Sequence, residues 1–315
     1  MFKPGRGIRL RSSGRSDTGQ MRDNNEDSIH LWSHGEHIVL AVVADGMGGA
    51  VAGEEASRIA VESIEAGLTN GAINPDTYHH MDEDTLVKQL KISVRNANNN
   101  IIDQAQKRPE LKGMGTTITL AFIRNTYAII GHVGDSRAYL VDGGDGHIMQ
   151  VTSDHSFVQA LVNAGHITEE EAEEHPMRNV LYRALGQSRD IEVDVYYEQL
   201  HINDRLVLCS DGLTLHVKPQ EIAQIALGQD DPDKIAEALI TLANKRGGRD
   251  NVSVLVIKVE QDETNLLNEF DVIDVDFDTA AFPVSDVSDM GFGFESSESS
   301  NHPKQDLKKS AYHEQ

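Results

Sequence analysis

A single cysteine in 315 residues rules out an intramolecular disulfide and leaves no basis for a cysteine-built zinc site. That residue, Cys209, lies in the apolar run RLVLCS, where a buried, inert thiol is expected. Positive charge is also scarce. There are 28 lysines and arginines against 51 acids, for a formal net charge of -23, which argues against non-specific nucleic-acid binding, since that needs basic surface to neutralise phosphates. No apolar run is long enough to span a bilayer. The basic N-terminal residues Lys3, Arg6, Arg9, Arg11 and Arg15 are not followed by the apolar core of a signal peptide. The expectation is a cytoplasmic protein without membrane or nucleic-acid partners. Nothing signals an oligomer, so a monomer is expected. Aromatic residues make up only 5%, yet the composition is otherwise that of a globular chain with ample length for a core.

The chain divides near Glu260. Residues 261–315 hold 13 acidic and 3 basic residues, begin with the alternating FDVIDVDFD and end in a serine-rich stretch. This part is expected to be a largely disordered acidic tail. Residues 1–260 mix β-branched apolar runs (IVLAVVA, TTITLAFI, TYAIIGHVG, RAYLV, RLVLCS, VSVLVIKV) with two long helical patterns. Ala52, Ala56, Ala60, Ile64 and Leu68 mark the first helix. Leu86, Leu90, Val94, Ala97, Ile101 and Ala105 mark the second. Later helices are expected to start at Pro219 and Pro232, since proline suits a first turn. RAYLVDGGDGHIMQVT reads as a hairpin with a plain glycine-rich turn. Strands and helices do not alternate one for one, which argues against a doubly wound parallel sheet and for antiparallel sheet covered by helices. A polar, helix-prone insert, at about 153–188, interrupts the strand pattern as a small subdomain.

Acids recur where the apolar runs end. Asp45 follows IVLAVVA in VADGMGGA, Asp135 follows AIIGHVG, Asp211 follows RLVLCS, and Asp250 precedes VSVLVIKV. Glu26 and Asp27 add a fifth position in the loop RDNNEDS. One aspartate at a strand end is ordinarily a turn former or a helix cap. Four or five converging on one side of a sheet repel one another and stay ionised only beside cations. A basic partner is the alternative compensation, but no comparable cluster of lysines or arginines lies near them in sequence. Hard oxygen donors without cysteine or regularly spaced histidine favour magnesium or manganese. The glycines beside Asp45 let the backbone approach an ion, so the Gly46 carbonyl is a further candidate ligand. A phosphate loop is a weak competitor, because its GK[ST] ending is missing.

In order, SDTGQMRDNNEDS (16–28), VADGMGGAVAGEEAS (43–57), GMGTT (113–117), GHVGDSRAYL (131–140), the insert from TSDHS to HPMRNVLYRALG (152–186), CSDGL (209–213) and RDNVSVLVI (249–257) resemble the metal-dependent serine/threonine protein phosphatases of type 2C, in their bacterial form. The resemblance covers residues 10–259. It implies an α+β fold, an α-β-β-α sandwich of two antiparallel sheets flanked by helices, with a small flap subdomain formed by the insert. It implies a binuclear centre of two Mn2+ or Mg2+ ions bridged by Asp45. Glu26 and the Gly46 carbonyl complete one ion, Asp211 and Asp250 hold the other, and Asp27 contacts metal-bound water. Asp135, with Asp211, holds a third, weaker ion in bacterial members. Arg22 matches the arginine that grips the substrate phosphate, the competing assignment being a surface pair with Asp23. Met47 stands where eukaryotic members carry a histidine proposed as general acid, and methionine has no proton to give. Asn251 is expected to fix the loop of Asp250 rather than bind metal.

The expected activity is hydrolysis of phosphoserine and phosphothreonine on proteins, opposing a cognate serine/threonine kinase. The alternative is a catalytically silent phosphatase-like scaffold that binds a phosphoprotein or kinase.

Overall fold

The computed structural model describes residues 7–69 and 75–262. The tail expected from residue 261 therefore lies, beyond Asp262, outside the described residues. In chain order the first half runs β1 (Ile8–Asp17), β2 (Asp27–His34), β3 (Ile38–Met47), α1 (Ala50–Leu68), α2 (Glu83–Lys107), β4 (Gly115–Thr116), β5 (Ile118–Arg124) and β6 (Tyr127–Val133). The second half runs β7 (Arg137–Val141), β8 (Ile148–Gln150), α3 (Phe157–Asn163), α4 (Glu169–Glu174), β9 (Asp194–Gln199), β10 (Arg205–Cys209), α5 (Asp211–Thr214), α6 (Pro219–Gly228), α7 (Pro232–Lys245) and β11 (Val252–Gln261).

The strands form two antiparallel sheets. One has the order β1-β11-β10-β7-β8, the other β2-β3-β5-β6-β9 with the short β4 added to the end of β3. Three apolar interfaces hold four layers together. Val39, Ala41 and Val43 of β3 meet Leu206 and Leu208 of β10 and Leu255 and Ile257 of β11 between the sheets. The alternate residues Leu40 and Val42 face Ile64 of α1 and Leu90 and Val94 of α2. On the outer side of the other sheet, Val207, Val254 and Val256 pack on Ile222 of α6 and Ile235 and Leu239 of α7. Each central strand is buried on both faces, which is why it reads as a continuous apolar run instead of an alternation. This is the expected α-β-β-α sandwich.

Among the longer strands, β1, β2 and β9 carried no such run. In β1, IRLRSSGRSD, Leu10 faces the inter-sheet core while the arginines point the other way. Arg9 and Arg11 bond Glu260 of β11, and Arg15 bonds Asp233 of α7 through two nitrogens. Arg9, Arg11 and Arg15 are thus strand residues answered by acids across the fold, and Lys3 and Arg6 lie outside the described residues. β2 and β9 are half-buried strands with mixed sequences, DSIHLWSH and DVYYEQ. Cys209 is fully buried, and burial pushes its thiol up to about 12, as suits an inert group. The DGGDG turn closes through Asp142 Oδ1, which accepts from the Gly144 and Asp145 amides.

Helix α2 closes on its sheet through Leu90, whose side chain occupies the space over Gly131 of β6; a Cβ there would lie 2.5 Å from Leu90 Cδ2. Replacing the fully buried Leu90 by alanine is expected to cost about 2–5 kcal/mol, read as a lower unfolding free energy in urea.

Candidate active site

The ends of β3, β6 and β10 and the start of β11 open on one cleft of about 330 Å3. Its lining includes Arg22, Glu26, Asp45, Asp135, Asp211 and Asp250. The insert contributes Asn179, Leu181 and Gln187 to the same wall. Five acids distant in sequence therefore share one concavity, and Asp27 stands behind them. Strand pairing does part of this work: Asp27 of β2 lies directly opposite Asp45 of β3.

The Asp45 backbone is locked on both sides. Its N–H donates to Thr117 Oγ1 at 2.9 Å, and its carbonyl accepts from Thr116 Oγ1 at 2.8 Å and from the Thr117 amide at 2.9 Å. Next to it, Gly46 donates to the Glu26 carbonyl at 3.1 Å. No larger residue fits there, because a Cβ would lie 2.1 Å from the Gly53 carbonyl oxygen and 2.6 Å from that of Glu26. Asn251 laces the N-terminal loop to the start of β11. Its Oδ1 accepts from the Glu26 amide at 2.8 Å, and its Nδ2 donates to the carbonyls of Thr18 and Asn24. Asp27 Oδ2 takes the hydroxyls of Ser210 and Ser253, each at 2.7 Å, while Oδ1 is buried without a protein partner.

Electrostatics here are dominated by burial and like charge. Burial, then the charges of Asp27, Asp211, Asp135 and Asp250, hold Asp45 well above the usual carboxylate range. Asp135 is raised in the same way by burial and by Asp211 and Asp154. Burial and Asp250 raise Asp211, partly offset by a hydrogen bond with Asp45. Burial pushes Asp27 up to about 7 against the pull of its two serines. Glu26 is raised by burial despite Arg22.

Two arginines do approach, which the sequence did not reveal. Arg22 Nη2 donates to Asp250 Oδ2 at 2.8 Å, and its Nη1 lies 3.7 Å from Glu26 Oε1, so it pairs with these two acids and not with Asp23. Arg137 is spent on Asp154, with three nitrogen–oxygen contacts of 2.7–3.1 Å. Neither reaches Asp45 or Asp27, where the charge is most crowded.

The donor set fits hard divalent cations. Every side-chain donor is a carboxylate oxygen, the buried Asp27 Oδ1 lacks a partner, and burial and mutual repulsion hold Asp45 back from ionising, which a cation would offset. Among the described residues no three acid, histidine or cysteine side chains close into a ready-made cation cage. The acids ring the cleft in an open arrangement. Sequence reasoning missed the groups behind them: Ser210 and Ser253 on Asp27, the two threonine hydroxyls on Asp45, and Gly53 against Gly46. Ser210 and Ser253 each lie within three residues of a cleft aspartate, and that adjacency was the available signal.

The histidines take structural places. His132 is fully buried in β6, with Nδ1 bonded to Thr119 Oγ1 at 2.9 Å, and burial pushes it down to about 3. His155 is buried at the start of the insert and faces Gly134, not the cleft.

Comparison with known proteins agrees with this arrangement. A family model described as protein phosphatase 2C matches residues 17–245. The serine/threonine phosphatase stp of Listeria monocytogenes is 36% identical over 245 residues, covering 78% of this chain and 94% of that protein. Among solved structures, the S. agalactiae serine/threonine phosphatase superposes with a TM-score of 0.72 at 36% identity, covering 80% of this chain and 100% of that one. The catalytic domain of the serine/threonine protein phosphatase PstP, in complex with two manganese ions, gives 0.68 at 37% identity, covering 80% and 99%. With its motifs in order and their acids gathered on one cleft, this chain belongs to the protein phosphatase 2C family.

Proposed function

We propose that this chain is a metal-dependent protein phosphatase that removes phosphate from phosphoserine and phosphothreonine on proteins at a binuclear manganese or magnesium centre. The observation that carries this is five carboxylates from separate strand ends on one cleft, with a single exposed guanidinium among them. Asp45, Glu26, the Gly46 carbonyl, Asp211 and Asp250 are the groups that would hold the two ions. Asp135 is the ligand for a third, weaker ion. When bound, two such ions supply a water acidic enough to attack phosphorus at neutral pH.

The protein's own groups set up the rest. Arg22, 45% exposed in its side chain, swings its guanidinium onto the phosphate dianion, a planar fork matched to two oxygens at once. Asp27 leaves Oδ1 to accept from a water beside Asp45. Asn251 holds the loops of Glu26 and Asp250 in register. Met47, in the cleft wall, supplies no proton to the leaving alkoxide. We extend the proposal to a monomeric, cytoplasmic enzyme that opposes a serine/threonine kinase. Among the described residues no helix is long and apolar enough to cross a membrane. A catalytically silent scaffold is not favoured, because every one of the six acids is in place.

Phosphate release from a phosphothreonine peptide is expected to require Mn2+ and to fall to background in Asp45→Asn and Asp211→Asn. Arg22→Ala should lower kcat/KM about 10- to 150-fold, the equivalent of losing about 1.5–3 kcal/mol of charge-assisted hydrogen bonding. Arg22→Lys should recover only part of it. Full, metal-independent turnover by Asp45→Asn would refute the assignment.

The raised Asp27 carboxyl gives a second test on metal-free protein. In the unfolded chain it ionises at about pH 4, whereas in the folded protein it holds its proton up to about 7. Folding therefore takes up a proton between these values, and this residue's contribution to stability falls as pH rises through that window. The stability of Asp27→Asn relative to wild type should climb from about pH 4 to about pH 7 and then level off. Calorimetric melting of both proteins across that range reads it. Saturating Mn2+ should flatten the difference.

A further inference from the structure

The segment between β8 and β9 reaches the cleft at its far end, through Asn179, Leu181 and Gln187, and is anchored at its near end by His155. His155 is 2% exposed and grips the backbone of one residue, Gly134, at both its N–H and its carbonyl. Its N–H donates to the Gly134 carbonyl at 2.7 Å, and its Nδ1 accepts the Gly134 N–H at 3.0 Å. With Nδ1 accepting, the ring proton sits on Nε2, which lies 3.1 Å from Asp194 Oδ2 and 3.0 Å from Arg183 Nη1, and of these only the carboxylate can accept it. Arg183 holds the other Asp194 oxygen at 2.6 Å. The His155 carbonyl accepts from Tyr182 at 2.9 Å, and the Phe157 amide donates to the Val180 carbonyl at 2.8 Å, so the outgoing and returning arms of the segment are tied together at this point.

Gly134 is the residue before Asp135. It adopts φ 117°, and a Cβ would lie 2.6 Å from Thr117, so this peptide has one available seat. We propose that His155 is a positioning residue for Asp135. Through the Gly134 N–H that its Nδ1 accepts, it transmits the seating of the 153–188 segment to the Asp135 carboxylate in the cleft. The proposal rests on Asp135 acting as a cation ligand, as set out above. Its consequence is that cation affinity at the Asp135 corner and the seating of the insert are two readouts of one contact. Groups that orient ligands in this way typically change metal affinity by about 10- to 100-fold when removed.

The competing account is packing alone, since the His155 ring also lies 4.8 Å from that of His132 and 5.6 Å from that of Tyr182. Two variants of the full chain separate them. His155→Asn places an amide oxygen where Nδ1 was and keeps the acceptor for Gly134. His155→Phe keeps the ring and loses the acceptor. Mn2+ binding is measured by titration calorimetry, and the seating of the insert by the rate of tryptic cleavage at Arg178 in metal-free protein, with melting temperature as the control for fold. The Phe variant should bind its weakest Mn2+ about tenfold less tightly and be cut faster at Arg178, while the Asn variant stays close to wild type. A Phe variant that matches wild type in both readouts overturns the proposal, as does an Asn variant that falls as far as the Phe variant. Wild-type protein that takes up no Mn2+ overturns the metal assignment itself, and this proposal with it.

Discussion

The free-energy cost of bringing carboxylates together is the constraint around which the rest of this fold is arranged. Asp45, Asp135 and Asp211 are held above their ordinary range by burial first and by each other second. In a protein without compensating cations such a cluster is a liability, because each ionisation makes the next harder. The fold keeps them together anyway, by rigid means. Asp45 is fixed by paired strands and three backbone bonds, Asp211 by the first turn of α5, and Asp250 by the hydrogen bond from Arg22 and the bond from the Asn251 amide. Rigid placement of groups that repel one another is what a cation site needs, since the ion then recovers an interaction the apo protein cannot relax away.

The sandwich supplies that rigidity. Its central strands are buried on both faces, so their ends cannot fray without exposing two apolar interfaces at once. The acids draw on both sheets: Asp27 and Asp45 lie in the six-stranded one, Asp211 and Asp250 adjoin β10 and β11 of the five-stranded one, and Asp135 lies in the link from β6 to β7 that joins the two. The cleft is thus a seam between sheets, and its geometry depends on the inter-sheet core of Val43, Leu208 and Leu255 as much as on any hydrogen bond.

Much of this was legible in the chain. The doubly buried strands announced themselves as apolar runs, and the acids were conspicuous because charge at the end of such a run needs a reason. β1 was not legible, because IRLRSSGRSD holds only two apolar residues among arginines and small polar ones and makes sense only once Glu260 and Asp233 lie across from it. The partners of Asp27 were hidden for a related reason: Ser210 and Ser253 lie 183 and 226 residues away, and their one local mark is a cleft aspartate within three residues of each. Arginine was misjudged by counting along the chain. Arg22 and Asp250 are 228 residues apart, yet form a 2.8 Å pair.

The two arginines near the cleft differ in how readily each could leave its acids, which bears on the phosphate role proposed for Arg22. Arg137 is embraced by Asp154, with Tyr139 and Gln150 close by, and Asp154 is 6% exposed. Pulling that guanidinium away would strand a buried carboxylate, a cost of several kcal/mol by the usual measure of broken buried pairs, about 3–5 kcal/mol. Arg22 is held by Asp250 and Glu26 at the mouth of the cleft, where water can take over whichever acid it releases. Were Glu26 and Asp250 committed to cations, Arg22 would lose its hold on them and be left facing the cleft, so the metal assignment and the phosphate assignment support each other. A site that offered a firmly paired arginine would bind phosphate poorly, whereas one that frees its arginine as the metals load has its anion-binding group ready when the nucleophile is.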